Sequence, residues 1–288
     1  MRVWDSLSWH AGVYHSGKLE LMRVLTLNLW GRLGAWADRR SVLIDGLRRL
    51  QPDLVAFQET IVTGNFDQVA DLMGGDYQVV HQSAGLTAVD QEGFHGASIA
   101  TRWPLRDVRE VDLHLTARTA DFPCTTLIAD VETPVGDVLF VNHLPSWQLD
   151  FELERELQAV TAARAIEAML VERRRHVVLA GDFDADPAAA SIRFWSGRQS
   201  VSGMSVCYRD AWESKHPDEP GHTFTPRNPQ MRDHDWPFRR IDYIFVRCAE
   251  HGGPSLEITD SRVAFDQPVD GVWASDHFGV LADLKLPG

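Results

Sequence analysis

The sequence predicts an α+β domain dominated by short strands. Three observations support this: nine apolar or alternating runs of strand length, two longer amphipathic stretches with helical spacing, and turn-rich connections without a repeat or low-complexity linker. A hydrophobic fraction of 44% over 288 residues can fill a sizeable core.

Regular patterning begins at Met22, so residues 1–21 are expected to be an extension of unknown role and residues 22–288 a single domain. RVLTLN (23–28) is the first strand. ADRRSVLIDGLRRLQ (37–51) sets Val42, Leu43, Leu47 and Leu50 at helical spacing and stops at Pro52, which cannot continue a helix. DLVAFQE (53–59) is a strand, a short helix is expected near 65–73, and DYQVVHQ (76–82), GASIATR (96–102), TTLIADVE (125–132) and DVLFVNH (137–143) are strands. From about 149 to 172, Leu153, Leu157, Val160, Ala163, Ile166 and Leu170 form one apolar helical stripe, with ELERE and ERRR on the wetted side. HVVLAGD (176–182), a short helix near 188–196, RIDYIFV (240–246) and HFGVLADLKL (277–286) complete the order, the last alternating with period two. The expected loops are 82–95, 116–124, 217–239 and 263–276.

A formal charge of −13 repels polyanions, so a basic wrapping face for nucleic acid is not expected, although a bound divalent cation can reverse the local sign. The Arg clusters at 39–40, 48–49 and 173–175 are expected on outer helix faces. Cys124, Cys207 and Cys248 are widely spaced and odd in number, which predicts free thiols and neither a disulfide framework nor a zinc site. No apolar run reaches the ~18 residues of a membrane helix, and a cytoplasmic location is expected.

Strand after strand carries a polar residue that apolar packing does not explain. Asn28 follows VLTL, Glu59 follows LVAFQ, His143 follows VLFVN, Asp182 follows VVLAG, Asp242 lies within RRIDYIF, and Asp276 and His277 open the last strand. Singly, each has an ordinary explanation: a turn-former, a surface charge, a satisfied core histidine, or an ion-pair partner for Arg239 or Arg240. Together they suggest a shared site, because a buried carboxylate costs several kcal/mol unless paired or metal-bound.

The ordered series LNLW, QET, NHLPSW, GDFDADP, RRIDYIF and SDHFGV resembles the endonuclease/exonuclease/phosphatase superfamily, metal-dependent phosphoesterases sharing the pancreatic deoxyribonuclease fold. The likeness covers about residues 22–288 and implies a four-layer αββα sandwich of two mostly antiparallel sheets, with the active site at one end. It implies Glu59 as the main Mg²⁺ or Mn²⁺ ligand, with Asn28 and Asp276 completing the shell. Such hard oxygen donors suit these ions and not zinc. Asp182 would take a proton from, or aim, the attacking water. His277 would contact the scissile phosphate, oriented by Asp242, and His143 would assist at the phosphate or leaving group.

GDFDADP departs from the usual GDFN. Asp184 stands where the family has an asparagine that donates to phosphate, and a negative charge ~4 Å from the phosphate costs about 4 kcal/mol at an effective dielectric of about 20. Asp184 is therefore expected either to bind a second divalent ion or to stay protonated, unless it points elsewhere. Trp30 and Trp147 lie close to site residues and are candidates for stacking on substrate. The acidic charge favours a small phosphorylated substrate. Endo- or exonuclease action on DNA or RNA is the alternative, and a non-catalytic binding module on the same fold is the alternative of a different class.

Overall fold

A computed structural model of the chain describes residues 21–83, 94–231, 238–250 and 252–288. The expected extension lies outside these residues except for Leu21, as do parts of the expected loops 82–95 and 217–239. From the N-terminus run β1 (Met22–Asn28), α1 (Trp36–Leu50), β2 (Leu54–Thr63), the short β3 (Phe66–Asp67), α2 (Gln68–Met73), β4 (Gln78–His81) and β5 (Phe94–Thr101). Next come β6 (Leu105–Asp112), β7 (Thr125–Thr133), β8 (Gly136–Leu144), α3 (Glu152–Glu172), β9 (His176–Asp182) and α4 (Ala190–Trp195). The chain ends with β10 (Tyr208–Asp210), α5 (Ala211–Lys215), β11 (Asp242–Arg247), β12 (Glu257–Ala264) and β13 (Gly279–Lys285).

Two sheets face each other. One is ordered β12-β13-β1-β2-β5-β4, with β3 attached to β2, and the other β10-β11-β9-β8-β7-β6. Met22, Val24, Ala56 and Val280 of the first sheet meet Ala129, Phe140, Val178 and Ile244 of the second in a fully apolar layer. Outside the first sheet, Leu25, Leu27, Val55 and Phe57 pack on Val42, Leu43 and Leu47 of α1. Outside the second, Leu139, Val141, Val177 and Leu179 pack on Ala159, Ala163 and Ile166 of α3. This is the αββα order that the resemblance implies.

All nine expected strands are present. Four strands among the described residues are unexpected: β3 and β10 are only two and three residues long, and β6 and β12 are edge strands whose sequences LRDVREVD and EITDSRVA carry charges throughout. An edge strand needs no continuous apolar run, and its charges discourage pairing with another chain.

Each sheet has one parallel pair at its centre, β1 with β2 and β8 with β9, while the remaining pairs are antiparallel. Parallel neighbours need a crossover, and α1 and α3 supply the two crossovers. The carboxyl ends of four central strands consequently open at the same mouth. At the β8–β9 end, Gly181 has a φ of 154° and sits opposite His143; a Cβ there would come within 2.0 Å of the His143 carbonyl oxygen, so only glycine fits.

Two expectations are corrected. The stripe on α3 does not include Leu153, which is 61% exposed, whereas Glu154 and Arg155 are buried. Glu154 pairs with Arg118 at 3.3 Å, and Arg155 donates to the carbonyls of Ser146 at 3.0 Å and Gln148 at 2.7 Å, so local partners override the pattern. Arg39 is not on an outer face: it is 1% exposed and donates to the carbonyls of Ala274, Leu33 and Leu29.

Just below the mouth the inter-sheet layer turns polar. Asn142 Nδ2 donates to the carbonyls of Phe57 at 2.8 Å and Ser98 at 2.9 Å, and its Oδ1 accepts from Gln58 Nε2 at 2.8 Å. These bonds cross from one sheet to the other. Asn142→Leu would take a buried donor from two carbonyls and an acceptor from Gln58, which keeps Thr26 Oγ1 at 3.2 Å, so urea denaturation is expected to show a loss of about 2 kcal/mol or more.

Candidate active site

Strand ends and one bulge inside β2 supply the site, and Asn28 at the end of β1 lies at its centre. Its amide nitrogen donates to Glu59 Oε1 at 3.0 Å and to Asp182 Oδ2 at 2.9 Å, while Oδ1 accepts from the Trp30 amide at 2.9 Å. One side chain thus links a carboxylate of each sheet. In this arrangement Asn28 acts first as a donor, and its Oδ1 keeps one further lone pair.

Glu59 sits on a bulge. β2 pairs with β5 at Phe57↔Ser98 and again at Thr60↔Gly96, so β2 carries one residue more than its partner over this span. Glu59 absorbs the irregularity with a φ of 52°, a left-handed conformation that costs a non-glycine residue about 1–3 kcal/mol and persists only where the surroundings over-determine it. The amides of Leu29 and Gly31 hold it by donating to the carbonyls of Gln58 at 2.9 Å and Glu59 at 3.0 Å.

On the other sheet, Asp182 ends β9 directly across from Asp242, which begins β11. Asp182 Oδ1 accepts from the Asp184 amide at 3.2 Å. Asp184 has a φ of 49°, a region that aspartate and asparagine tolerate better than other side-chain-bearing residues, so the backbone accepts either at this position. His277 Nδ1 lies 3.1 Å from Asp242 Oδ2 and 3.7 Å from Asp182 Oδ2, and Phe224 packs against the ring at 4.8 Å. Thr223 Oγ1 accepts from the Asp242 amide at 3.2 Å, and Asp242 Oδ1 is buried without a partner among the described residues. Ser275 Oγ lies 2.7 Å from the Asn28 carbonyl and 3.1 Å from Asp276 Oδ1, which brings Asp276 to the same mouth.

The remaining candidates have different surroundings. His143 is buried, with Nδ1 2.7 Å from Thr126 Oγ1 and its ring against Phe183 and Trp195. Trp30 is 8% exposed with the Arg39 guanidinium 4.9 Å from its ring, so little of its surface is open for stacking; Trp147 is 53% exposed. Arg240 pairs with Asp210 and not with Asp242.

Comparison with known proteins gives the family. The family model described as the Endonuclease/Exonuclease/phosphatase family matches residues 25–277. The chain belongs to that family. It is accordingly a metal-dependent hydrolase of phosphoester bonds. A Drosophila melanogaster protein named "Putative neutral sphingomyelinase" is 29% identical over 139 residues, a match spanning 48% of this chain and 29% of that protein. Among solved structures, TDP2 from Caenorhabditis elegans has a TM-score of 0.71 at 14% identity, covering 92% of this chain and 74% of that one. TDP2 of D. rerio, complexed with single strand DNA product, gives 0.70 at 18% identity with 92% and 99% covered. The human Nocturnin catalytic domain with bound sulfate anion gives 0.68 at 16% identity with 93% and 95% covered. At these identities the structural matches establish the fold.

The family's cation fits the donors at the mouth. Burial, followed by the nearby Asp276 charge, pushes Glu59 up to about 7. Burial also pushes Asp242 up to about 6 and raises Asp276. Carboxylates crowded this way repel one another until a cation arrives, and hard oxygens are what Mg²⁺ and Mn²⁺ take. Arg39 already offsets part of the charge, although burial lowers its own pKa to about 10. Asp182, Asp242 and His277 offer ligand atoms within 4.8 Å of one another, a second possible cradle. Burial alone would lower the pKa of His277, but Asp242 and Asp182 hold it well above the ordinary value. The Glu59 side of the mouth offers oxygen donors alone, which suits Mg²⁺ or Mn²⁺ better than a set that includes an imidazole nitrogen. Gln58, Asn142, Thr223, Ser275 and Arg39 frame the site without having been singled out by the sequence. A polar residue inside an apolar run was the available signal for Gln58 and Asn142.

Burial depresses His143 from 6.5 to about 3. The unfolded chain then binds a proton below pH 6.5 that the folded chain refuses, so stability present above pH 6.5 is lost as pH falls toward 3. Denaturation of wild type and His143→Gln in parallel is expected to show an extra loss in wild type of roughly 1.4 kcal/mol per pH unit below 6.5.

Proposed function

We propose that the enzyme hydrolyses a small phosphorylated substrate, a phosphodiester or phosphomonoester, with Mg²⁺ or Mn²⁺. The observation that carries this is the Asn28 amide joining Glu59 and Asp182 at 3.0 and 2.9 Å, with the His277–Asp242 pair beside them. Glu59 would hold the cation, with Asn28 and Asp276 completing the shell. When bound, the ion supplies charge neutralisation at the phosphate and lowers the pKa of a bound water.

The chain's own residues do the remainder. Asp182, accepting from Asn28 on one oxygen and from the Asp184 amide on the other, is a fixed acceptor that takes a proton from a water and aims it in line with the leaving oxygen. Asp242 holds the Nδ1–H of His277, leaving Nε2–H to donate to a phosphate oxygen; the neighbouring carboxylates raise the pKa of the ring and so favour its cationic form, which stabilises the developing anion. His143, neutral at working pH, serves as a hydrogen-bonding group at the leaving side and not as a charge.

The formal charge of −13 argues for a small substrate. Nucleic acid is the second reading, favoured by the open ring of Trp147, on which a base could stack. Comparing turnover of bis(p-nitrophenyl) phosphate, p-nitrophenyl phosphate and a single-stranded oligonucleotide separates the three; preference for the oligonucleotide would reject the small-substrate reading. Removing the metal with EDTA is expected to abolish hydrolysis, and Glu59→Gln and His277→Ala each to lower kcat/KM by about 10²-fold or more. Activity surviving both replacements would defeat the assignment.

Burial and then Asp182 raise the pKa of Asp184 well above the ordinary value, the direction that favours a protonated side chain donating as an asparagine would. Asp184→Asn is then expected to keep activity and to lose less of it as pH rises, because the amide cannot ionise against the phosphate. A second ion held by Asp184 would instead give a metal stoichiometry of two that falls to one in the Asn variant.

A further inference from the structure

A hydrogen-bonded line runs from the surface to the residue beside Glu59. Asp67 Oδ2 lies 2.9 Å from His81 Nε2, His81 Nδ1 lies 2.8 Å from Ser98 Oγ, and Ser98 Oγ lies 2.6 Å from Thr60 Oγ1. Carboxylate, imidazole and serine in this order also occur where a serine is activated as a nucleophile. Here Ser98 and Thr60 are both 0% exposed, so no substrate reaches either hydroxyl. The line acts on the protein itself.

Its outer end is anchored twice. Asp67 Oδ1 caps α2 by accepting from the Ala70 amide at 2.9 Å, while Oδ2 holds the His81 ring. A carboxylate only accepts, so Nε2–H donates to Asp67 and, with one proton on the ring, Nδ1 accepts from Ser98. With the Ser98 proton given to His81, Ser98 accepts from Thr60, whose single proton is shared between Ser98 Oγ at 2.6 Å and the Gly96 carbonyl at 3.0 Å. His81 and Ser98 are cross-strand partners on β4 and β5, which fixes the two rotamers relative to each other.

Its inner end meets the bulge. Thr60 is where pairing between β2 and β5 resumes after the irregular residues, and Glu59, with a φ of 52°, immediately precedes it. The amides of Leu29 and Gly31 restrain the bulge from the β1 side only. Without Ser98, the Thr60 hydroxyl has only the Gly96 carbonyl at 3.0 Å, on its own paired residue.

We propose that Asp67, His81, Ser98 and Thr60 are positioning residues that set the angle at which Glu59 presents its carboxylate to the divalent cation. This rests on the reading of Glu59 as metal ligand. Ser98 and Thr60 are closed off from the surface, so the effect of the line is on metal affinity.

The test is Mn²⁺ binding to the full chain, followed by the electron paramagnetic resonance of free Mn²⁺ well below the unfolding temperature. Ser98→Ala and His81→Ala are each expected to weaken binding by about 10-fold or more, the range typical of groups that orient metal ligands. The double variant is expected to bind no more weakly than the worse single, because both break one line. Losses that multiply in the double variant, or unchanged affinity in both singles even if thermal stability falls, would overturn the proposal. Ser98→Ala removes one oxygen atom and keeps the test available if His81→Ala does not fold. Glu59→Gln separates the two readings. If it binds Mn²⁺ as wild type does, the metal assignment fails; if it loses Mn²⁺ while the Ser98 and His81 variants bind normally, only the positioning line fails.

Discussion

Glu59 belongs to one sheet and Asp182 to the other, and the amide of Asn28 donates to both, at 3.0 and 2.9 Å. Around that contact lie Asp276, Asp242 and Asp184, so the mouth of the sandwich gathers like charges in surroundings that disfavour each of them. An amide can offer a proton to two carboxylates but cannot neutralise either. The charge is met from further out, by Arg39 behind Glu59 and Asp276 and by His277 between Asp182 and Asp242. The residual demand for positive charge is what makes the site one for a divalent cation and an anionic substrate.

Holding such a site open requires the two sheets to keep a fixed offset, and an apolar interface alone does not enforce one. The Gln58–Asn142 bridge does, because its bonds to the carbonyls of Phe57 and Ser98 are directional and buried. The same region stores strain: Glu59 within β2 and Asp184 just past the end of β9 both take left-handed backbone conformations. Such conformations concentrate at functional sites because a side chain leaving the regular alternation of a strand is one way to aim it at a ligand. The parallel pairs at the sheet centres complete the geometry by bringing strand ends that are distant in sequence to one mouth.

Much of this was legible before any coordinates. Central strands such as HVVLAGD and DVLFVNH are buried on both faces and read as unbroken apolar runs ending on a polar residue. The edge strands β6 and β12 were not legible, since they need only occasional apolar contacts, whereas the edge strand β4 kept a readable apolar pair in Val79 and Val80. The α3 stripe was misplaced at its start because Arg155 spends its guanidinium on carbonyls of the 146–148 segment, a tertiary demand with no signature in helical spacing. Arg39 was misread for the same reason: among arginines on one helix, only the surroundings show which one turns inward.

The sequence by itself determined the chemistry available, because the order of polar residues closing apolar runs from Asn28 to His277, together with its likeness to one family, names the carboxylates, the amide and the imidazoles at hand. Only the tertiary structure decided how those groups are used. Whether Trp30 is a platform or packing, whether Asn28 faces a carboxylate with its nitrogen or its oxygen, and which carboxylate meets His277 are all set by contacts between residues tens to hundreds of positions apart. Side-chain type limits what a group can do, and the distance and burial that choose among those options arise only when the two sheets close on each other.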